Sequence, residues 1–268
     1  MKLKQYAETV YTIIRNLILG GNVISLSLLN KPRSMIGYVS EILFLFRTLN
    51  PKSGIRQSNV LKVFPFDSTE SITLGNLKSS TWFFASASYL TDLISLCMIC
   101  RSIKPKTIFE IGTFNGYTAL HMALNTPADA VIHTLDLPTN EEIKPKLNTT
   151  ITDDEHIVLL GKTQKYCFEK SVVASKIHCL YGDSANYDYS SYFNKVDLFF
   201  IDGAHSYEYV RSDTLNAINC CHPGSVIVWH DYGRSGLNGV SKWLLEFSGQ
   251  GYEVISIPGG SLAFTIIK

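Results

Sequence analysis

The chain has 268 residues, of which 46% are hydrophobic and 18% are charged, so it can bury a full globular core and is not a disordered chain. Its 24 basic and 23 acidic side chains leave a net charge of +1, which argues against a basic face that coats nucleic acid. Six cysteines are too few for a disulfide-built scaffold, and Cys97 and Cys100 lie in an apolar run typical of a buried helix.

The N-terminal segment, residues 1–66, is apolar and basic. It carries nine basic side chains against Glu8 and Glu41, a balance of +7 that leaves −6 for the rest. Such a segment could lie on a membrane surface, receive an anionic substrate or form a homodimer contact; a helical cap with a solvated basic face is the simpler alternative. We find no secretory signal and no run of about 20 apolar residues, so we expect a soluble, cytoplasmic protein.

Two regions follow from the pattern of apolar residues. Residues 1–104 are predicted to form an N-terminal helical cap or oligomerisation region, and residues 105–268 an α/β domain. The predicted strands of this domain are 107–111, 131–136, 177–181, 196–202, 225–230, 252–257 and 262–267. The predicted helices are 116–124, 206–221 and 239–248.

The alternation of strands and helices predicts a doubly wound, Rossmann-like sheet of seven strands with right-handed crossovers. The last two strands are joined by residues 258–261 without a helix, so we expect them to pair as an antiparallel hairpin. A parallel sheet closed in this way is not the pattern of dinucleotide dehydrogenases. Residues 138–176 form a long, irregular and charge-rich insertion, which we expect to act as a lid or binding loop.

The turn between the first predicted strand and its helix, residues 110–118, is rich in glycine. Glycine lets the backbone turn tightly and approach a ligand, and the start of the helix offers free N–H groups. The spacing is GxxxG, not the GxG of the nicotinamide fingerprint, which disfavours pyrophosphate binding. Asp136 closes the second predicted strand, where a carboxylate can bind ribose hydroxyls. Together these features predict an adenosine-type ligand without a pyrophosphate.

Carboxylate and imidazole side chains follow two neighbouring predicted strands. Asp202 ends one strand and His205 comes three residues later, while His230 and Asp231 end the next strand. Because parallel strands place their carboxyl ends at one edge of the sheet, we expect these four side chains to meet there. A carboxylate at the end of a buried strand is costly without a partner, so a purely structural role is unattractive.

These motifs resemble those of the class I S-adenosylmethionine-dependent methyltransferases over residues 105–268. The segment EIGTFNGYT is most similar to small-molecule O-methyltransferases of the catechol and caffeoyl-CoA type. The segments VDLFFIDGAHSYEYVRSD and PGSVIVWHDY are similar to the bacterial branch that acts on sugars and secondary metabolites. The resemblance implies methyl transfer from S-adenosylmethionine to a hydroxyl of a small molecule or glycan.

The resemblance also implies cofactor-binding roles. Glu110, Gly112 and Gly116 would shape the methionine pocket, and Thr118 would bind the methionine carboxylate. Asp136 would bind the ribose hydroxyls, and Asp183 and Ser184 would flank the adenine. A simple turn role is the alternative for Asp183.

In the metal-dependent relatives, the positions matching Asp202, His230 and Asp231 hold a Mg²⁺-type ion, and the position matching His205 holds the base. His230 stands where a carboxylate is usual, and imidazole suits Mn²⁺ better than Mg²⁺. The resemblance therefore implies a Mg²⁺ or Mn²⁺ site. The alternative is that His230 forms a hydrogen-bonding wall of the acceptor pocket or acts as a second base.

Two residue roles complete the predicted reaction site. His205, with a reference pKa of about 6.5, can accept the proton of a hydroxyl near neutral pH, and Asp202 is counted with it as catalytic. A helix cap or an adenosine contact is the alternative for His205. Tyr232, directly after Asp231, is the candidate substrate contact.

Three other functions stay open from the sequence. The same fold and cofactor site could serve hydroxylase-like chemistry, because a fold does not fix a reaction. A nicotinamide-dependent oxidoreductase is disfavoured by the glycine spacing and the terminal hairpin. A non-catalytic binding or scaffold protein could dock a partner through its basic N-terminal segment, but it would have no reason to bring the four strand-end side chains together.

Overall fold

A computed structural model describes residues 55–67, 69–75, 87–138, 145–151, 153–154, 165–234 and 237–268, together with residues 11, 14–15, 18–21 and 43. The chain divides into two compact units, Met1–Phe46 and Arg47–Lys268. The described residues of the first unit are helical, and none of the helices described in either unit could cross a membrane. Most of the basic segment lies outside the described residues, so its predicted membrane or subunit contact stays a prediction.

The second unit is built on a sheet of eight strands. In chain order these are β1 (Arg56–Gln57), β2 (Thr107–Ile111), β3 (Val131–Asp136), β4 (Ile177–Tyr181), β5 (Val196–Ile201), β6 (Cys221–Trp229), β7 (Ile255–Ser256) and β8 (Ala263–Ile266). Their order across the sheet is β1-β7-β8-β6-β5-β2-β3-β4. Only the pairings of β8 with β6 and β7 are antiparallel among these strands. The predicted doubly wound sheet with its terminal hairpin is confirmed, and β1 adds an eighth strand at the edge.

Helices cover both faces of this sheet. They are α1 (Val60–Val63), α2 (Ala87–Ile103), α3 (Tyr117–Leu124), α4 (Tyr207–Cys220) and α5 (Asn238–Gly249). Short 3₁₀ turns at Ala174–Lys176 and Ser190–Tyr192 precede β4 and β5. Helix α4 begins after Ser206 because the Ser206 side chain accepts a hydrogen bond from the Tyr209 amide, a regular N-cap.

The strands are almost continuously apolar because each of their two faces packs against helices. In β5, Leu198 and Phe200 join the core cluster that contains residues of α2 and α3, whereas Phe199 and Ile201 join the cluster that contains residues of α4 and α5. This alternation is the two-residue period of a strand with both sides buried. Packing on both faces fixes the carboxyl ends of the central strands, and the polar residues that follow these strands are positioned with them.

The unit that contains the sheet begins at Arg47, well before the boundary that we predicted between residues 104 and 105. Within this earlier segment, β1 pairs with β7, and α2 buries Cys97 and Cys100 against the core as expected. Asp92 of α2 accepts hydrogen bonds from the Ser261 amide and hydroxyl near the terminal hairpin. A strand of two residues has no detectable period, and contacts between residues so distant in sequence leave no local signal.

The carboxyl ends of β2 and β5 nearly touch at Gly112. This residue has a φ of +97°, and a Cβ on it would overlap the backbone oxygen of Asp202. The Asp202 amide also donates a 2.9 Å hydrogen bond to the Ile111 oxygen. Gly112 therefore serves two needs at once, a left-handed backbone and a close approach of two chain segments.

Replacement of Gly112 by alanine should be much more damaging than the same change at Gly224, which also has a positive φ but has open space around it. We expect Gly224→Ala to cost about 1–2 kcal/mol of unfolding free energy, from backbone strain alone. Gly112→Ala should cost about 2–5 kcal/mol because overlap adds to strain. Urea denaturation followed by circular dichroism measures both, and equal losses would contradict the close approach at Gly112.

Candidate active site

The glycine-rich turn after β2 fixes the position of Asp136 at the end of β3. The Phe114 amide donates to Asp136 Oδ2 at 2.7 Å, and the Leu137 amide donates to Oδ1 at 2.8 Å. Gly116, with a φ of +75°, precedes the first residue of α3, and a Cβ on it would overlap the ring of Phe168. Thr118 lies half-buried in the first turn of α3. The turn and the Asp136 carboxylate thus form one hydrogen-bonded unit.

Glu110 lies beneath this turn and is completely buried. Its Oε2 accepts a 2.5 Å hydrogen bond from Thr134 Oγ1. Burial raises the pKa of Glu110 well above its usual range, and the nearby Asp202 and Asp136 add to the rise although the Thr134 bond opposes it. Its predicted part in shaping a methionine pocket stays a prediction.

Asp183 and Ser184, after β4, are both buried. Asp183 Oδ1 accepts hydrogen bonds from the Tyr209 hydroxyl and from the Ala185 amide, both at 3.0 Å. Its Oδ2 accepts from the Lys146 amide at 2.7 Å, which fastens the insertion to this end of the sheet. Asp183 consequently does more than stabilise its own turn.

The four strand-end side chains predicted to meet do lie together. Asp202 Oδ1 lies 3.1 Å from His230 Nδ1, and His205 Nε2 lies 2.9 Å from Asp231 Oδ2. Asp231 Oδ1 lies 3.2 Å from His230 Nδ1, which joins the two pairs into one cluster. The side chain of Asp202 is 27% exposed, against 9–11% for the other three, so Asp202 is the most open member.

Among the described residues, three further charged side chains that the sequence analysis did not single out join the cluster. Asp153, from the insertion, lies with Oδ1 2.5 Å from His205 Nδ1 and also accepts from the His205 amide. Asp92 of α2 lies with Oδ2 3.5 Å from His230 Nε2. Arg234 places its Nε 2.7 Å from Asp231 Oδ1. Asp92 could have been singled out from the sequence, because it is an acidic residue inside an apolar helical run. Asp153 could not, because it lies in an insertion without a periodic pattern.

The ring of Tyr89, also on α2, flanks the cluster. It stacks on His230 with ring centroids 5.8 Å apart, and the Arg234 guanidinium lies 4.2 Å from its centroid. Tyr232, in contrast, is only 7% exposed and belongs to the core cluster on the α4–α5 side of the sheet. The predicted substrate contact of Tyr232 stays a prediction.

The carboxylates keep both histidines of the cluster positively charged. Burial works against a charged ring, but Asp153 and Asp231 outweigh it and raise the pKa of His205 to about 10. Burial likewise opposes the charge on His230, and Asp202 and Asp231 raise the pKa of His230 well above its ordinary value. In turn, burial of Asp231 is outweighed by the two imidazoles, which hold its pKa well below the usual range.

The predicted metal ligands do not fit an ion bound through His230. Asp202, His205 and Asp231 bring one possible ligand atom each within 4.8 Å of one another, a different trio from the predicted one. A metal-bound imidazole must turn a lone pair toward the ion. Both ring nitrogens of His230 face carboxylate oxygens instead, and the same holds for His205 between Asp153 and Asp231. The ring nitrogens of both histidines therefore lie against carboxylate oxygens, within 3.5 Å of them, and not against open space.

Residues 109–232 match the model of a family described as a methyltransferase domain, slightly less than half of the chain. The segment is therefore similar to methyltransferase domains, and the order of the strands agrees with a Rossmann-like fold. No curated protein matches the chain.

Several solved structures are similar at low identity. The O-methyltransferase TomG from Streptomyces achromogenes, solved with S-adenosylmethionine, is 16% identical with a TM-score of 0.47, covering 77% of this chain and 96% of its own. A Podospora anserina methyltransferase bound to S-adenosylhomocysteine is 17% identical with a TM-score of 0.49, covering 72% and 85%. An O-methyltransferase from Bacillus cereus is 14% identical with a TM-score of 0.46, covering 77% and 88%. The TM-scores are low, and the fold assignment stands on the sheet order.

Replacement of Asp153 by asparagine should lower the pKa of His205 from about 10 toward the neutral range, because the ring loses a charged partner. Titration of the histidine ring signals by NMR between pH 5 and about 10 measures this change. Asp154→Asn is the matched control, since the Asp154 carboxylate accepts from Thr149 Oγ1 instead. An unchanged His205 titration in Asp153→Asn would show that the insertion does not set the charge of this ring.

Proposed function

We propose that the protein is an S-adenosylmethionine-dependent O-methyltransferase that acts on a hydroxyl of a small molecule or glycan. The observation that carries this proposal is the Asp136 carboxylate, which accepts a hydrogen bond from the glycine-rich turn at the carboxyl edge of the sheet. The cluster that contains Asp202 lies at the same edge, after β5, which pairs with β2. A ribose-binding carboxylate beside a turn without pyrophosphate spacing favours an adenosine ligand that carries no pyrophosphate. The methyltransferase-domain match over residues 109–232 supports the same class of reaction.

In the proposed complex, Asp136 accepts hydrogen bonds from the ribose hydroxyls. Gly112 and Gly116 let the turn approach the methionine part, and Thr118 binds the methionine carboxylate near the start of α3. Asp183 and Ser184 flank the adenine from the end of β4. These roles use chain segments that the structure already holds in fixed positions, so little ordering is required on binding.

Methyl transfer requires alignment of the acceptor oxygen with the sulfonium methyl group and removal of the hydroxyl proton. The carbon–oxygen bond forms as the carbon–sulfur bond breaks, and the hydroxyl becomes strongly acidic during the transfer. A carboxylate is then a sufficient proton acceptor. We assign this role to Asp202, because it is the most exposed carboxylate of the cluster.

His205 is the alternative base, favoured by the Asp153 carboxylate that orients its ring. As an imidazolium with a pKa of about 10, however, it cannot accept a proton until it has lost one. In the scheme with Asp202 as base, His205 places positive charge beside the reacting oxygen and holds Asp231.

Cofactor binding tests the proposed class directly. Calorimetric titration should show binding of S-adenosylmethionine and S-adenosylhomocysteine and none of NAD. Asp136→Ala should weaken that binding by about 1–3 kcal/mol through lost ribose hydrogen bonds. Asp129→Ala, at an exposed carboxylate paired with Lys106, should leave it unchanged. Failure of both sulfur ligands to bind the wild-type protein would contradict the proposed function.

The pH dependence of turnover separates the two candidate bases. With Asp202 as base, kcat for an acceptor found by mass-spectrometric screening should be nearly flat from pH 7 to about 9, and Asp202→Asn should lower it roughly 100-fold. With His205 as base, the neutral ring is scarce below its pKa of about 10, so kcat would rise with pH over this range, about tenfold per pH unit. Such a rise, absent from His205→Ala, would assign the base to His205.

A further inference from the structure

We infer that His230 and Arg234 supply, as permanent parts of the chain, the positive charge that a divalent ion would otherwise bring to Asp202 and Asp231, so that this site works without a metal. The inference rests on the proposed function only in taking this cluster as the place of the reaction.

The position of His230 is the first support. Its Nδ1 lies 3.1 Å from Asp202 Oδ1 and 3.2 Å from Asp231 Oδ1, and its Nε2 lies 3.5 Å from Asp92 Oδ2. Ser261 Oγ lies 3.4 Å from the same Nε2 and donates its own hydrogen to Asp92, so the ring is surrounded by oxygens that accept, which favours a positive charge on it. His230 thus draws the Asp202 and Asp231 carboxylates together, as a cation between them would.

Arg234 adds a charge that cannot be lost. Its guanidinium is permanently protonated, and Nε lies 2.7 Å from Asp231 Oδ1 while a terminal nitrogen lies 4.0 Å from Asp92 Oδ2. The Tyr89 ring lies against both His230 and Arg234, which fixes the two cations side by side. The positions of the two cations therefore depend on Tyr89 of α2 as well as on the chain that follows β6.

The charges of the cluster nearly balance without an ion. Its four described carboxylates, Asp92, Asp153, Asp202 and Asp231, face three cations, His205, His230 and Arg234. A divalent ion on Asp202 and Asp231 would lie beside the His230 N–H groups in a buried setting, where repulsion between like charges is weakly screened. Binding would require His230 to lose a proton and turn away from its partners.

Manganese titration tests the inference without reference to methyl transfer. MnCl₂ alone is added to the protein, and free Mn²⁺ is measured by electron paramagnetic resonance. We expect the wild-type protein to leave the Mn²⁺ signal unchanged. His230→Asp replaces the central cation by a third carboxylate and should bind Mn²⁺ roughly tenfold more tightly or better. His222→Asp is the matched control, because His222 pairs with Asp197 at the other end of β6 and should gain nothing.

Two results would overturn the inference. One is tight Mn²⁺ binding by the wild-type protein that Asp202→Asn abolishes; the other is a folded His230→Asp protein that gains no Mn²⁺ binding. Circular dichroism on the same samples reports whether each variant is folded, and calorimetry with S-adenosylhomocysteine reports separately whether the proposed cofactor binds. If His230→Asp does not fold, His230→Asn, which removes the charge but keeps a polar group, takes its place and should also bind Mn²⁺ more tightly than the wild type.

Discussion

Three cationic side chains surround the carboxylate of Asp231, directly after β6. His205 Nε2, His230 Nδ1 and Arg234 Nε lie 2.9, 3.2 and 2.7 Å from its oxygens. The backbone of Asp231 has a φ of +61°, an uncommon conformation that persists where the surroundings compensate for it. These contacts tie the loop after β5, the end of β6 and the start of the following segment to one another. The shape of the candidate site therefore depends on a single buried carboxylate and on the charge that compensates it.

The residues at the carboxyl edge of the sheet are the part of the site that could be predicted from the sequence. Glu110, Asp136, Asp202 and Asp231 each sit at or next to the end of an apolar run, so both the strands and the meeting of their polar ends could be expected. The hairpin could be expected because four residues are too few for a helical crossover.

The partners of these residues could not be found in the same way. Asp92 reaches Ser261 across 169 positions of sequence, and Asp153 comes from an insertion without periodicity. The pKa of His205 depends on both Asp153 and Asp231, so the residue type alone suggested a neutral base where the structure holds an imidazolium. Tyr232 follows the polar pair directly in sequence, yet its ring enters the core, because adjacency along the chain does not determine which way a side chain points.

Described residues of the insertion between β3 and β4 bind this edge of the sheet beside both β4 and β5. The Lys146 amide bonds Asp183, and seven residues later the Asp153 carboxylate bonds both the ring and the amide of His205. One short segment therefore spans from the end of β4 to the loop after β5. Any displacement of that segment breaks contacts at both ends together, so the position of the Asp183 turn and the orientation of the His205 ring are mechanically coupled.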